Sequence, residues 1–525
     1  MAHMTPPRSA GTARLDRAAL HRLAAVTVLG FASGLPLALS GQAMQAWLGA
    51  EGVGLATIGF LTLVGLPYTF KFLWAPLMDR FEPPWLGRRR GWLVVTQLGL
   101  AGALLWMAAT PPGGAIQAFA LLAGLVAFVS ASQDVVFNAY QVDLLAADER
   151  GLGSSLSVAG YRLAMVVSGG ITLIWVDPAQ GGGWTWPEVY RVMAMIMAGA
   201  AVVSATLLPK VAASSVRPAS VARNDVLGFF AVVAAVAVGY LVTDRVVRPL
   251  FAGSTTSELA GRWLDLGVLL IGIVITLPLA AWAARAARFE TLLGGLSNYF
   301  SQQGALTFLA FIVLYKLGDA FAGSLMTPFL LQGMHFGLAE VGVVNKVIGL
   351  WLTIVGALLG GALMIRLGLW RALVLFGFLQ MVSNLGFWWL AVNGKGLLPG
   401  LVIPAFDWGF VKLAAATPVD GGLLLVIAAE NLSGGMGTAA FLALLISLCN
   451  ARFSATQFAL LSAFASVGRV WVGPLAGVLV LSIGWPTFFI ASTIAALPAL
   501  AMLAWLKKPI ERLQDDPGEA GVGDA

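Results

Sequence analysis

The chain has 525 residues, of which 59% are hydrophobic and only 11% charged, with a formal net charge of +6. Globular domains carry about a quarter charged residues, whereas apolar runs recur here along almost the whole length, each able to cross a roughly 30 Å hydrocarbon core as a helix. These runs are continuous rather than alternating, which excludes a β-barrel, and the single Cys449 excludes an intramolecular disulfide or a cysteine-based metal cluster.

In chain order, Met1-Ala2-His3 reads as a cloning scar ahead of a native start at Met4, within a cytoplasmic segment 1–21. Residues 22–48 are too long for the apolar core of a signal peptide and predict a first spanning helix. Helices at 55–79, 91–109, 115–145, 151–175 and 187–208 complete a first half, 22–208. The connection 209–304 holds two more candidates, 225–243 and 264–284. A second half, 305–507, reads as helices at 305–332, 338–366, 370–392, 421–449, 454–481 and 484–506, interrupted by a periplasmic insertion at 393–420. Residues 508–525 form a polar tail.

Loop charges set the orientation. With the N-terminus cytoplasmic, "ARLDRAALHR", "GRRRGW", Arg150, Lys210, Arg217, Arg223, "RAAR", Arg366, Arg371, Arg452, Lys507 and Lys508 all fall on one side. The other side keeps only Arg191, Arg245, Arg248, Arg262, Lys395 and Lys412. Both termini are thus expected in the cytoplasm, and this bias accounts for the net charge without nucleic acid.

Internal repetition follows. "GLATIGF" at 54–60 recurs as "GLAEVGV" at 337–343, and "LMDR" at 77–80 as "LMIR" at 363–366. "AGYRLAMVVSGG" at 159–170 resembles "SVGRVWVGPLAG" at 466–477. Three matches in one order argue for two related six-helix halves. Parallel repeats of this kind mark the major facilitator architecture, with substrate held between the halves near the bilayer midplane. The expected fold is an all-α polytopic membrane protein of twelve core helices in two six-helix halves, plus two extra helices between them.

A charge in a spanning helix costs roughly 2.5–3.5 kcal/mol on insertion scales, so it faces water or a partner. In this fold the first, fourth, seventh and tenth core helices line the cavity. Gln42 and Gln45 fall on the first, "SASQDVVFNAYQVDLL" with Gln133, Asp134 and Asn138 on the fourth, Lys316 and Asp319 on the seventh, and Glu430 with Asn431 on the tenth. Asp134, Asp319 and Glu430 are the proton-coupling candidates. Lys71, Arg162, Lys316, Lys346 and Arg469 outnumber these acids, which favours an anionic substrate. Any acid that titrates between cavity states is available for coupling. The plainer alternatives stand beside these: Lys316 and Asp319 neutralise each other at i,i+3, Asp134 bridges to Arg162, Glu430 is solvated near the outer surface, and Lys71 and Lys346 snorkel. Gln42, Gln45, Gln133, Asn138, Asn345 and Asn431 are amide contacts. Tyr68, Trp74, Tyr161 and Trp351 are candidates to stack on a sugar ring.

"APLMDRFEPPWLGRRRGW" resembles the loop after the second helix of major facilitators, in which an acid followed by arginines latches the halves; Asp79, Arg80, Arg88, Arg89 and Arg90 match it. Ala75 stands where a glycine is usual, and "FEPPWL" separates acid from arginines. Asp79 is expected to meet the positive end of the eleventh core helix, which opens on the capping box Ser454-Ala-Thr-Gln457. No membrane histidine cluster, acidic metal motif or nucleophile–base arrangement is legible, so no metal, cofactor or catalytic residue is assigned.

"LGFASGLPLALSGQAMQAWL", "FKFLWAPLMDRFEPPWLGRRRGWL", "SASQDVVFNAYQVDLL", "VLYKLGDAFAGSL", "EVGVVNKVIGLWLTIVGALLGG" and "ENLSGGMGTAAFLALLISLCNARFSATQFALLSAFASVGRVWVGPLAG" together closely resemble the AmpG muropeptide permease family. The likeness spans both halves but not 209–304 or 393–420. It implies a bacterial inner-membrane importer of anionic N-acetylglucosaminyl-1,6-anhydro-N-acetylmuramyl peptides, driven by the proton gradient and linked to wall recycling and β-lactamase induction; the chain is expected to work as a monomer. The alternatives are a carrier of another bulky anion, such as an acyl-CoA or a siderophore, and more remotely a membrane enzyme or sensor of wall precursors.

Overall fold

The structure, a computed structural model, describes residues 17–145, 149–180, 182–211, 222–251, 257–301, 304–409, 411–448 and 454–515. Among the described residues, 13 helical stretches are long and apolar enough to cross a membrane. In the first half these are α1 (Arg17–Ala50), α2 (Leu55–Leu73), α3 (Arg88–Ala109), α4 (Ile116–Leu144), α5 (Leu156–Val176) and α6 (Trp186–Thr206). The extra pair is α7 (Arg223–Leu250) and α8 (Glu258–Ala286), followed by a short helix α9 (Glu290–Phe300) that the sequence reading did not expect. The second half holds α10 (Ala305–Gly333), α11 (Leu338–Leu367), α12 (Leu369–Asn393), α13 (Gly421–Ser447) and α14 (Ser454–Trp505), with α15 (Lys507–Asp515) after it. α14 is two crossings in one: Gly484 (φ 73°) breaks its 52 residues into the two arms expected at 454–481 and 484–506. The fourteen expected crossings are therefore all present.

The extra helices run further than expected. Arg248 lies 3.5 Å from Asp244 and 3.6 Å from Asp265 on the partner helix, so polar residues that read as a loop neutralise one another and the helices continue through them. The pair leans on both halves. Phe229 and Val232 of α7 pack in one apolar cluster with Leu73 of α2, and Trp263 Nε1 of α8 donates to Ser482 Oγ of α14 at 3.0 Å.

Among the described residues, the strands all fall within 393–420. Here β1 (Leu401–Ile403) pairs antiparallel with β4 (Thr417–Val419), and β2 (Phe406–Asp407) with β3 (Lys412–Leu413). This hairpin marks one end of the bundle, the insertion end; the starts of α1 and α10 and the end of α14 lie at the other.

The halves meet through α2 on the first arm of α14, α5 on α11, and α1 on α10. The closest of these approaches need glycine. A Cβ on Gly59 would lie 2.5 Å from the Gly473 carbonyl oxygen, and one on Gly342 2.7 Å from that of Gly170. Both contacts sit toward the insertion end.

Candidate transport site

The site begins at breaks in helices. Pro67 and Pro76 each remove a backbone donor from the run that starts with α2. The chain between them tightens into a 3₁₀ turn, Lys71–Leu73, before Ala75–Arg80 resumes. Lys71 leaves this turn with its ammonium 3.7 Å from Asp134 Oδ2 of α4, while the Ser33 hydroxyl of α1 donates to Oδ1. The Tyr68 hydroxyl is buried beside Asp134, Ser40 and Ser130, outside hydrogen-bond geometry with any of them. Asp134 therefore bridges to Lys71, not to Arg162; its two oxygens face α1 and α2. Asn138, one turn further along the same face of α4, is exposed.

In the second half α10 breaks at Lys316, between Ala305–Tyr315 and Leu317–Ser324. Asp319 then stands in the first turn of the new helix, where a negative charge is favoured. The Lys316 ammonium is 3.3 Å from Asp319 Oδ2, so the i,i+3 neutralisation is present. It also donates to Thr438 Oγ1 at 3.4 Å. Glu430 is nine residues beyond the start of α13 at Gly421, about 14 Å along the helix axis, and its Oε2 accepts from Asn431 Nδ2 at 2.7 Å. Glu430 is partly buried at this position. Asn431 Oδ1 accepts in turn from Thr353 of α11 at 2.8 Å.

Other candidates land elsewhere. Gln133 is fully buried, with neither amide atom partnered among the described residues. Gln45 Nε2 donates to the Ser324 carbonyl of α10 at 2.9 Å and so ties the halves together. Gln42 is partly buried with an unpartnered Oε1, and Asn345 is buried with an unpartnered Nδ2. Tyr161 and Arg162 are partly buried on α5, whose backbone packs on α1. Trp351 is 64% exposed and is not brought to the polar groups. It shares a stripe with Leu358 and Ile365 on the face of α11 opposite the glycines that meet α13, an apolar surface of the kind lipid covers. The side chains of Asp79, Arg80, Lys346, Arg469 and the Ser454–Gln457 capping box lie outside the described residues. Of the arginine run, Arg89 Nε donates to Asp143 Oδ2 at 2.8 Å, and Arg90 Nη2 to the Ala205 carbonyl at 2.5 Å. Both of these contacts are within the first half.

A family model described as acetyl-coenzyme A transporter 1 matches residues 23–112. Over 490 residues the chain is 42% identical to the anhydromuropeptide permease of Escherichia coli (strain K12), covering 93% of this chain and 80% of that protein. The chain belongs to the AmpG anhydromuropeptide permease family. Within it, a putative transporter AmpG 4 of Rickettsia conorii is 27% identical, covering 93% of this chain and 97% of the relative. A POT family transporter solved in complex with 5-aminolevulinic acid superposes with a TM-score of 0.64 at 12% identity, covering 93% of this chain and 96% of that one. The fold is that of the major facilitator transporters.

Sequence reasoning missed one set of residues in this AmpG-family chain. Gln380 of α12 is 4% exposed, and its Nε2 donates to Asp319 Oδ2 at 2.6 Å. It reaches that oxygen past Gly437, where a Cβ would lie 2.3 Å from Gln380 Oε1. One turn on, Asn384 Nδ2 donates to the Gly318 carbonyl at 3.4 Å. The signal was available: in "FLQMVSNLGF" Gln380, Ser383 and Asn384 recur at i, i+3 and i+4 on one face of an otherwise apolar helix.

Proposed function

We propose that this protein is a proton-coupled secondary transporter that imports anhydro-muropeptides from periplasm to cytoplasm across the bacterial inner membrane. In this reading both termini are cytoplasmic and the insertion end faces the periplasm, as the loop charges require. The observation that carries it is that each half holds a carboxylate–ammonium pair at or beside a helix break within the membrane, Lys71–Asp134 and Lys316–Asp319. Such pairs add little to stability, since an apolar pair of equal volume is often as stable, and this reading gives them a use in transport. A peptide carboxylate competing for Lys71 or Lys316, or a proton arriving on Asp319 or Asp134, would release one partner of a pair. Either event changes the contacts between helices. The membership of the AmpG family and the name of the Escherichia coli relative support the choice of substrate. In this reading the proton gradient is the driving force and the chain works as a monomer.

The test is uptake of labelled anhydro-muropeptide into proteoliposomes, with an inward acid gradient and with that gradient collapsed. Accumulation that needs the gradient is the expected result. Equilibration without accumulation would remove the proton coupling, and no uptake by folded protein would remove the substrate. A second reading, a carrier of acyl-CoA, is favoured by the family-model match over 23–112 alone. Competition separates the two: excess unlabelled muropeptide should suppress uptake and acetyl-CoA should not.

A further inference from the structure

The insertion hairpin is rooted in the second half. Gly396 N–H donates to Asp420 Oδ2 at 2.6 Å, Asp420 N–H donates to Glu340 Oε1 of α11 at 2.8 Å, and the Lys395 ammonium donates to the His335 carbonyl. Its far arm rests on the first half. Ala414 N–H donates to the Gln180 carbonyl at 3.0 Å, and Ala415 N–H to Gln180 Oε1 at 3.0 Å. Beneath this arm Leu413 (1% exposed) and Val411 (4%) share one apolar cluster with Ile174 of α5 and with Ala339 and Val343 of α11. The hairpin thus sits over the joint between the halves, touching a residue of each.

The seat is itself built. Asp177 Oδ1 accepts from the N–H groups of Ala179 and Gln180, fixing the turn that presents Gln180. Its Oδ2 accepts from Ala339 N–H at 2.9 Å, in the first turn of α11 across the joint. Asp177 is 7% exposed. One carboxylate therefore shapes the catch for the hairpin and holds the same joint below it.

We propose that the hairpin is a strap that biases the transporter toward the state closed at the insertion end. Alternating access in this fold is a rocking of one half against the other. Opening the insertion end separates α5 from α11. The strap is continuous with the second half, so it must leave Gln180 and Ile174 when that happens. The two hydrogen bonds and the apolar seat are contacts made in one state and lost in the other, which is what shifts a two-state equilibrium. The α1–α10, α2–α14 and α5–α11 contacts close the joint in any case; the strap sets how much of the time it stays closed.

The experiment is a distance measurement between spin labels on the full chain, without substrate, so its outcome is independent of what is carried. Cys449 is replaced by Ser, and labels are placed at Gly114 in the first half and Asn393 in the second, both exposed and flanking the insertion end. Gln180→Ala together with Ala414→Pro removes both hydrogen bonds. The open-to-closed ratio should rise roughly five- to 150-fold, the range for losing two hydrogen bonds of ordinary strength. Leu413→Asp, which unseats the apolar arm, should move the ratio in the same direction. Lys412→Ala is the control: it breaks only the exposed 3.4 Å pair with Asp407 at the hairpin tip and should leave the distances unchanged. Unchanged distances in both Gln180→Ala/Ala414→Pro and Leu413→Asp would overturn the proposal. So would a shift in Lys412→Ala as large as theirs, since the effect would then not run through Gln180.

Discussion

In the first half the ammonium of Lys71 reaches Asp134 from another helix, whereas in the second half Lys316 and Asp319 share α10, three residues apart. The first pair ties α2 to α4, and Ser33 ties the same carboxylate to α1, so both oxygens of Asp134 are engaged. Any slide of α2 against α4 must stretch a contact already at 3.7 Å. The second pair travels with its own helix and is indifferent to such a slide. Gln380 and Lys316 both address Asp319 Oδ2, and among the described residues Oδ1 has no hydrogen-bond partner, on a side chain 34% exposed. We read the first pair as a strut that feels helix movement and the second as the place where water, a proton or a ligand group can be met. Equal chemistry, placed between helices or within one, gives two different devices.

The sharpest way to break this comparison is Asp134→Leu. It leaves the Lys71 ammonium without its partner, and removing one member of a buried pair costs about 3–5 kcal/mol. A large fall in thermal midpoint is expected, most of it recovered when Lys71→Met is added. If the single variant is as stable as the parent, Asp134 is not a strut.

Gln380→Leu should come next. A hydrogen bond to a charged group is worth about 1.5–3 kcal/mol, and the leucine also leaves Asp319 held by Lys316 alone. A moderate fall in midpoint is expected. Gly437→Ala should produce a similar fall while leaving residue 380 a glutamine, because the methyl displaces its amide from the space the glycine leaves. Agreement between these variants would locate the effect on the Gln380–Asp319 contact, and a fall in only one of them would deny it.

Asp319→Asn should cost less still, about 1 kcal/mol, since the neutral amide retains a hydrogen bond with Gln380 on this partly exposed site. Its transport phenotype should nevertheless be complete. Accumulation against a gradient should vanish while downhill equilibration of labelled muropeptide continues. Accumulation at the parent level would take Asp319 out of the coupling and leave the second pair as structure.

Much of the fold was legible because a bilayer imposes crude rules. Apolar length gave the helices, and the cost of an ion in hydrocarbon singled out Asp134, Asp319 and Glu430 before any coordinates. Partners were harder to read. Asp134 has neighbours on both sides of α4, and only the turn forced by Pro67 and Pro76 aims Lys71 at it; Arg162, on the next helix in the chain, was the alternative the sequence offered, and both Lys71 and Arg162 stood open as partners. Trp351 misled because Asn345, Lys346 and Thr353 lie close to it in the chain, whereas the face it shares with Leu358 and Ile365 is apolar. Gln380 was overlooked because α12 is an outer helix, where amides are not expected to reach the site. The hairpin could have been seen: "LVIPAFDWGFVKL" is two strand-prone runs around an Asp-Trp-Gly turn, and Asp407 Oδ1 does accept from Gly409 N–H at 2.9 Å.

The smallest expected effect tests the claim that the second pair belongs to one helix. Lys316 also approaches Thr438 of α13 at 3.4 Å, and its ammonium lies 5.7 Å from the centre of the Phe441 ring. If these contacts held the lysine, the second pair would be anchored between helices like the first. A hydrogen bond at that length is weak, and the ammonium keeps Asp319 and the ring when the hydroxyl is removed. Thr438→Val should therefore change the thermal midpoint by no more than about 0.5 kcal/mol in stability, the size of an ordinary peripheral substitution, and should leave uptake at the parent level. A loss as large as that of Gln380→Leu would mean that Lys316 is fixed on α13. The two halves would then carry the same cross-helix strut, and the proton would have to be sought at Glu430, where the carboxylate is held by its neighbour Asn431 and, through it, by Thr353.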